Sequence, residues 1–196
     1  QQVLTLVPSE YVCVHVVDDK SRGHLWTQRA GSRSGRLKSK GPVSQETNVN
    51  SDASVARCVG GGIPVSHDFA DRPAGANFRA DEKQLSELLG HSFDRVGGPR
   101  LVSCLCVPVR VSEKKDAAVA AVVQLVNRVP RDDRSQSVDA YAHKFRAEDA
   151  DVLTEMGPLV ASVVVRWQQA RDAYRATKEA RTVAREVKHA TEQQLL

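Results

Sequence analysis

Apolar positions in this chain fall into short strand-like runs and two short helical stretches as far as Asn127, and then take up one long helical period. Tyr11–Val17 (YVCVHVV) is rich in valine and bounded by Asp18-Asp19, which predicts a first strand. Turn-forming residues at 18–23 lead to His24–Gln28, the returning strand of a hairpin. Asn50–Val59 has helical character, with Ser51 or Asp52 as N-cap and Gly60-Gly61-Gly62 as the stop. Ile63–Asp68 is a short extended piece, and Phe69–Asp81 reads as an irregular acidic loop. Leu85, Leu88 and Leu89 give Glu82–Leu89 a helical stripe closed by Gly90. Gly97-Gly98-Pro99 turns the chain into strand Leu101–Val109, where Pro108 lacks a ladder donor and predicts a bulge or an edge. Lys114-Lys115-Asp116 makes the turn into Ala117–Asn127.

After a polar insertion, Pro130–His143, a long helix opens with Glu148, Asp149 and Asp151 in its first turn, where negative charge suits the helix dipole. Val152, Met156, Leu159, Val160, Val163, Val164 and Trp167 form one apolar face. Gly157-Pro158 interrupts it and predicts a kink. Beyond Trp167 the face thins to Ala170, Tyr174, Val183 and Val187, and no Gly or Pro follows Arg166. Such a tail would run roughly 40 Å and is too polar to stand alone. It points to a homodimer formed through this helix, or to a signalling connector. The expected division is residues 1–166 as a domain and 167–196 as a connector or coiled-coil helix. Because the chain begins at Gln1, without Met, it reads as part of a larger protein.

Composition narrows the classes. At 196 residues the chain has room for one ordinary domain and an appendage. Aromatics make up only 5%, so Val, Ala and Leu must fill the core. The net charge of +4 is mild, and no basic patch interleaved with aromatics is present, so nucleic acid is not an expected partner. Five basic residues within Arg29–Lys40 read as a solvated loop, with contact to phosphate or acidic lipid as the alternative. The four cysteines, Cys13, Cys58, Cys104 and Cys106, lack zinc-ligand spacing, so they read as reduced, packed thiols of a cytoplasmic protein. The longest apolar run, Ala117–Val123, falls far short of the roughly 20 residues of a membrane span. No catalytic constellation emerges. His67-Asp68 has no second His cluster, Gly60-Gly61-Gly62 lacks the Lys-Ser/Thr of a phosphate loop, and Gly-x-Ser-x-Gly is missing. Any catalytic domain would lie outside this chain.

Three stretches resemble the GAF domain family, and within it the GAF modules of cyclic-nucleotide phosphodiesterases. Asp68–Asp81 (DFADRPAGANFRAD) looks like the family's acidic loop D-x-x-x-D-x-x-F-x-x-x-D, with about two added residues before Phe78. Ser103–Val109 (SCLCVPV) is similar to its S-x-L-C-x-P-I strand. Asn127, Arg128, Phe145 and Asp149 match its N-K…F-x-x-x-D-E signature, with Arg in place of Lys and Ala150 in place of Glu. The resemblance covers most of Tyr11–Trp167. It implies an α+β fold: a central antiparallel sheet of about six strands with helices packed on it, a ligand pocket, a lid over Asp68–Leu89, and a long C-terminal helix. It also implies an ion pair between Arg128 and Asp149, since guanidinium matches a carboxylate bidentately.

The implied function is a regulatory domain of an intracellular signalling protein that binds a small molecule, with a cyclic nucleotide as ligand and no other cofactor. The candidate ligand-binding residues are Ser54, Asp68, Phe78, Asp81, Ser103 and Gln124. Gln124 can donate to and accept from a base edge, or simply face solvent. Ser54 can present its hydroxyl and a helix N-terminus to a phosphate, or cap the helix. The turn Val96-Gly97-Gly98-Pro99 offers no hydroxyl where the family has a Thr-rich one. The alternatives are a ligand-free dimerisation scaffold, and a small methionine sulfoxide reductase using Cys58, Cys104 and Cys106.

Overall fold

A computed structural model describes residues 2–17, 24–31, 43–46, 53–69, 79–89, 101–112, 114, 117–129 and 144–194. The β-branched runs form six strands: β1 (Ser9–Val17), β2 (His24–Gly31), β3 (Val43–Glu46), β4 (Val65–Asp68), β5 (Ser103–Arg110) and β6 (Val119–Arg128). They make one antiparallel sheet in the order β3-β2-β1-β6-β5-β4. The helices are α1 (Gln2–Leu6), α2 (Ser54–Gly61), α3 (Arg79–Leu89), α4 (Ala147–Glu155) and α5 (Gly157–Gln194). The class is therefore α+β, with a six-stranded sheet and a long C-terminal helix. The chain divides into two compact units, Gln1–Ala161 and Ser162–Leu196.

The two-residue period of the strands sorts their side chains onto two faces. Cys13 stands opposite Gln124, which stands opposite Cys106, so these three residues form one row across β1, β6 and β5. Val122, Val126 and Cys104 lie on the same face. With Val55 and Cys58 of α2, Leu85 of α3, Phe69 and Leu101 they form one buried apolar cluster. The other face buries Val12, Val16, Leu105, Val107, Val109, Ala121, Val123 and Leu125. The α1 helix packs on β1, and α4 on β5. All four cysteines are free and buried.

Several boundaries differ from expectation for local physical reasons. The α2 helix starts at Ser54, with Ala53 at its N-cap and no side-chain cap of its own. Ser51 and Asp52 lie outside the described residues, as do the turn after β1, the basic loop from 32, most of the acidic loop and the polar insertion. Gly60 and Gly61 continue the helix, and only Gly62, at φ 61°, ends it in the left-handed conformation. Pro108 is paired with Val122 of β6, but the β4 ladder reaches only to Cys106, so the prolyl side of β5 is locally an edge. The register shift falls one step later, between Val109 and Arg110. The kink expected at Pro158 is a complete break: α4 stops at Glu155 and α5 begins at Gly157, because Pro158 has no N–H for the Thr154 carbonyl.

Gly62 is doubly constrained. Its carbonyl accepts a hydrogen bond from Arg110 Nη2 at 2.8 Å, and a Cβ built on it would run into that same guanidinium. Gly62→Ala should destabilise the protein by about 1–3 kcal/mol, from left-handed strain together with displacement of Arg110. Gly61→Ala, helical and meeting only the Ile63 side chain at van der Waals distance, should be neutral or stabilising. Urea unfolding of the two variants checks the difference.

Candidate functional site

Three clusters of polar side chains join the sheet to its helices. The first lies where β6 ends. Asn127 has φ 55°, a left-handed conformation that Asn tolerates better than most residues. Its Oδ1 accepts from the backbone N–H of Val102 at 2.8 Å, and its Nδ2 donates to Glu10 Oε2 at 2.7 Å. The Arg128 N–H donates to Ser103 Oγ at 3.1 Å, and Arg128 Nε donates to Asp149 Oδ2 at 2.8 Å. That carboxylate oxygen also accepts the Arg146 N–H at 2.9 Å, so Asp149 caps α4 while pairing with the guanidinium. The structure thus brings Ser103, Asn127, Arg128 and Asp149 together. Their neighbour Phe145 is half-buried.

The second cluster joins α3 to the start of α2. Asp81 is buried, and its two oxygens accept from the Ser54 N–H and the Ser54 hydroxyl, each at 2.8 Å. A carboxylate distant in sequence therefore occupies the α2 N-terminus, the place where a ligand phosphate was expected to bind. Burial pushes the Asp81 carboxyl above its ordinary range, against the opposing pull of the Ser54 bonds, His67 and Arg57. Arg57 lies 3.3 Å from His67 Nε2. Burial also lowers the His67 ring below its ordinary value, Asp81 pulls it up, and Arg57 adds to the lowering. Asp68, at the end of β4, pairs with Lys144 at 2.5 Å. Phe78 lies outside the described residues.

The third cluster sits within the sheet. Gln124 does not face solvent. Flanked by Cys13 and Cys106 in its row, its fully buried amide must find partners diagonally. Its Oε1 lies 2.8 Å from His15 Nε2, and its Nε2 donates to Cys104 Sγ at 3.3 Å. Cys104 Sγ is 3.9 Å from Cys106 Sγ. His15, which the sequence did not single out, is fully buried, and burial outweighs the Gln124 bond to bring its pKa down to about 4. Neutral His15 therefore donates Nε2–H to the Gln124 carbonyl. Strand alternation was the available signal: His15 shares its face with Tyr11 and Cys13. Desolvation raises the Cys58 thiol to about 12 and pushes Cys106 upward too. Protonated buried thiols are poor nucleophiles, which weighs against a reductase. Among the described residues no group of three or more His, Cys, Asp and Glu could hold a metal ion.

Arg128 and Asp149 are only 12% and 10% exposed, so a double-mutant cycle with Arg128→Met and Asp149→Asn should return a coupling of about 1–3 kcal/mol. Asp149→Asn alone should cost more than the coupling, because it also weakens the α4 cap. His15 titrates at 6.5 when unfolded and about 4 when folded, so between those values the unfolded chain binds more protons. Its contribution is complete above pH 6.5 and is lost on acidification toward pH 4, by up to about 3 kcal/mol. Asp81, raised in the fold, acts with the opposite sign. The difference between the pH–stability curves of wild type and His15→Gln isolates the histidine.

No family model matches this chain, and no curated protein matches it. Among solved structures, the chain is similar to the GAF domain of a two-component sensor histidine kinase from Bacillus halodurans, at 11% identity and a TM-score of 0.44, with 86% of this chain and 90% of that one covered. It is also similar to the nlh2 GAF domain of A. aeolicus in an inactive state, at 9% identity and a TM-score of 0.40, with 83% of this chain and 75% of that one covered.

Proposed function

We propose that this chain is a regulatory domain of the GAF type that takes a small polar ligand beneath α3. The observation that carries this reading is Gln84. It lies on α3, the helix that the resemblance makes a lid, and is only 7% exposed, yet among the described residues neither its Oε1 nor its Nε2 has a hydrogen-bond partner. A buried amide left unsatisfied costs about 1–3 kcal/mol, and a ligand offering both a donor and an acceptor removes that cost. A purine base edge has this character, so cyclic nucleotides remain the first ligands to try. Ser54 and Gln124 are poor contacts for one, since Asp81, His15 and Cys104 already satisfy them. In this reading the chain itself performs no catalysis.

A second reading, the paired scaffold, is favoured by α5. Ala170, Ala173, Thr177, Ala180, Ala184, Val187 and Thr191 recur at alternating three- and four-residue spacing, and all are exposed. Thr177 and Thr191 bond their own helix, through Ala173 O and Val187 O at 2.8 and 2.9 Å, and so satisfy their hydroxyls within the seam. Ala176 and Val183 flank one side of the seam, and Arg181 and Lys188 the other. A parallel pair therefore sets small side chains against the cations, and no like charges meet. No helix of the described residues is long and apolar enough to cross a membrane.

Gln84→Leu separates the readings. If Gln84 waits for a ligand, this variant should raise the stability of the ligand-free protein by about 1–3 kcal/mol and abolish any thermal shift that cAMP or cGMP gives the wild type. No shift with either nucleotide at millimolar concentration, together with a destabilised variant, removes the ligand reading. Ala180→Glu with Val187→Glu should convert a dimer to a monomer in analytical ultracentrifugation. A wild-type monomer at tens of micromolar removes the scaffold reading.

A further inference from the structure

A cleft of about 670 Å³ opens between the turn that follows α2, the end of β5 and the α4–α5 break, within the size range of small-molecule sites. Pro64, Pro108 and Pro158 form its walls. Proline rings are apolar and have almost no rotamer freedom, so the walls are formed before anything binds. Val111 at the rim is 62% exposed, an apolar side chain with little protein cover.

Arg110 supplies the polar contact. Its Nη1 donates to Ala117 O and its Nη2 to Gly62 O at 2.8 Å, which fixes the guanidinium and, among the described residues, leaves about three of its five N–H donors unused. No carboxylate among the described residues pairs with it. Glu155 also lines the cleft and adds negative charge there, which opposes a doubly charged anion.

We propose that this cleft binds a monocarboxylate with an apolar body, its carboxylate on Arg110 and its body between the prolines. A fixed guanidinium with spare donors matches a carboxylate in geometry and charge. The site touches Gly157 and Pro158, the first residues of α5, so an occupant would brace the α4–α5 break.

The test uses the full chain, with benzoate as probe and benzamide and inorganic phosphate as comparisons. Backbone amide shifts of Arg110, Val111 and Ser112 should move saturably with benzoate at about millimolar Kd, as befits a ligand this small. Benzamide, without the charge, should bind at least about tenfold more weakly, and phosphate should give no saturable shift. Arg110→Met should lose binding, but it also removes the bonds to Gly62 and Ala117. Ser112→Trp, at an exposed residue lining the cleft, should therefore abolish benzoate binding with the circular dichroism spectrum unchanged. Glu155→Gln should tighten benzoate roughly two- to fivefold. The proposal is overturned if benzoate gives no saturable shift, if benzamide or phosphate binds as tightly, or if benzoate binding survives Ser112→Trp.

Discussion

One carboxylate ties the end of the sheet to the helical segment that follows it. Asp149 Oδ2 accepts from Arg128 Nε, at the end of β6, and from the Arg146 N–H at the mouth of α4. Two segments separated by the whole polar insertion thus meet on one oxygen. Asn127 completes the junction: its left-handed turn lets its side chain bind the Val102 N–H on one side and Glu10 on the other. The β1, β5 and β6 strands and the start of α4 are all tied here. A replacement that kept the charge at 128 but not the planar fork would change more than an ion pair.

Away from that junction, the polar side chains of the sheet face and the α2 N-terminus are mostly turned inward. Asp81 satisfies the α2 N-terminus, His15 and Cys104 satisfy Gln124, and neutral His15 keeps charge out of the core. In a low-dielectric interior a fully paired polar network is tolerated, and an unpaired group is costly. Gln84 stands out against this background as the buried amide whose needs the described residues leave unmet. The contrast between Gln124 and Gln84, two buried glutamines with opposite satisfaction, moves attention from the strand to α3.

Much of the architecture was legible in the chain because it rests on local periodicity. The two-residue alternation of Tyr11–Val17 and Ser103–Val109 and the helical stripe of Glu82–Leu89 are set by which side chains must leave water, and the helix that runs to Gln194 follows from the absence of Gly and Pro after Arg166. Gly62 and Pro158 mark their breaks through backbone geometry that no partner needs to supply. The i, i+2 spacing of Cys104 and Cys106 likewise puts both thiols on one face of their strand.

Partnership across the sequence was not legible. Nothing local to Ser54 says that Asp81 will sit on its N–H, and Gln124 between two valines looks the same whether it faces water or a histidine. The four-residue strand β3 and the five-residue helix α1 are too short to show a period. The cleft beside Arg110 draws its walls from three separate segments, so no single run of residues describes it. Secondary structure and the apolar faces followed from the sequence because they are properties of neighbouring residues. Which buried polar group is satisfied, and by what, was decided only by tertiary structure, because a hydrogen bond depends on angstrom-scale distances that only the folded chain sets.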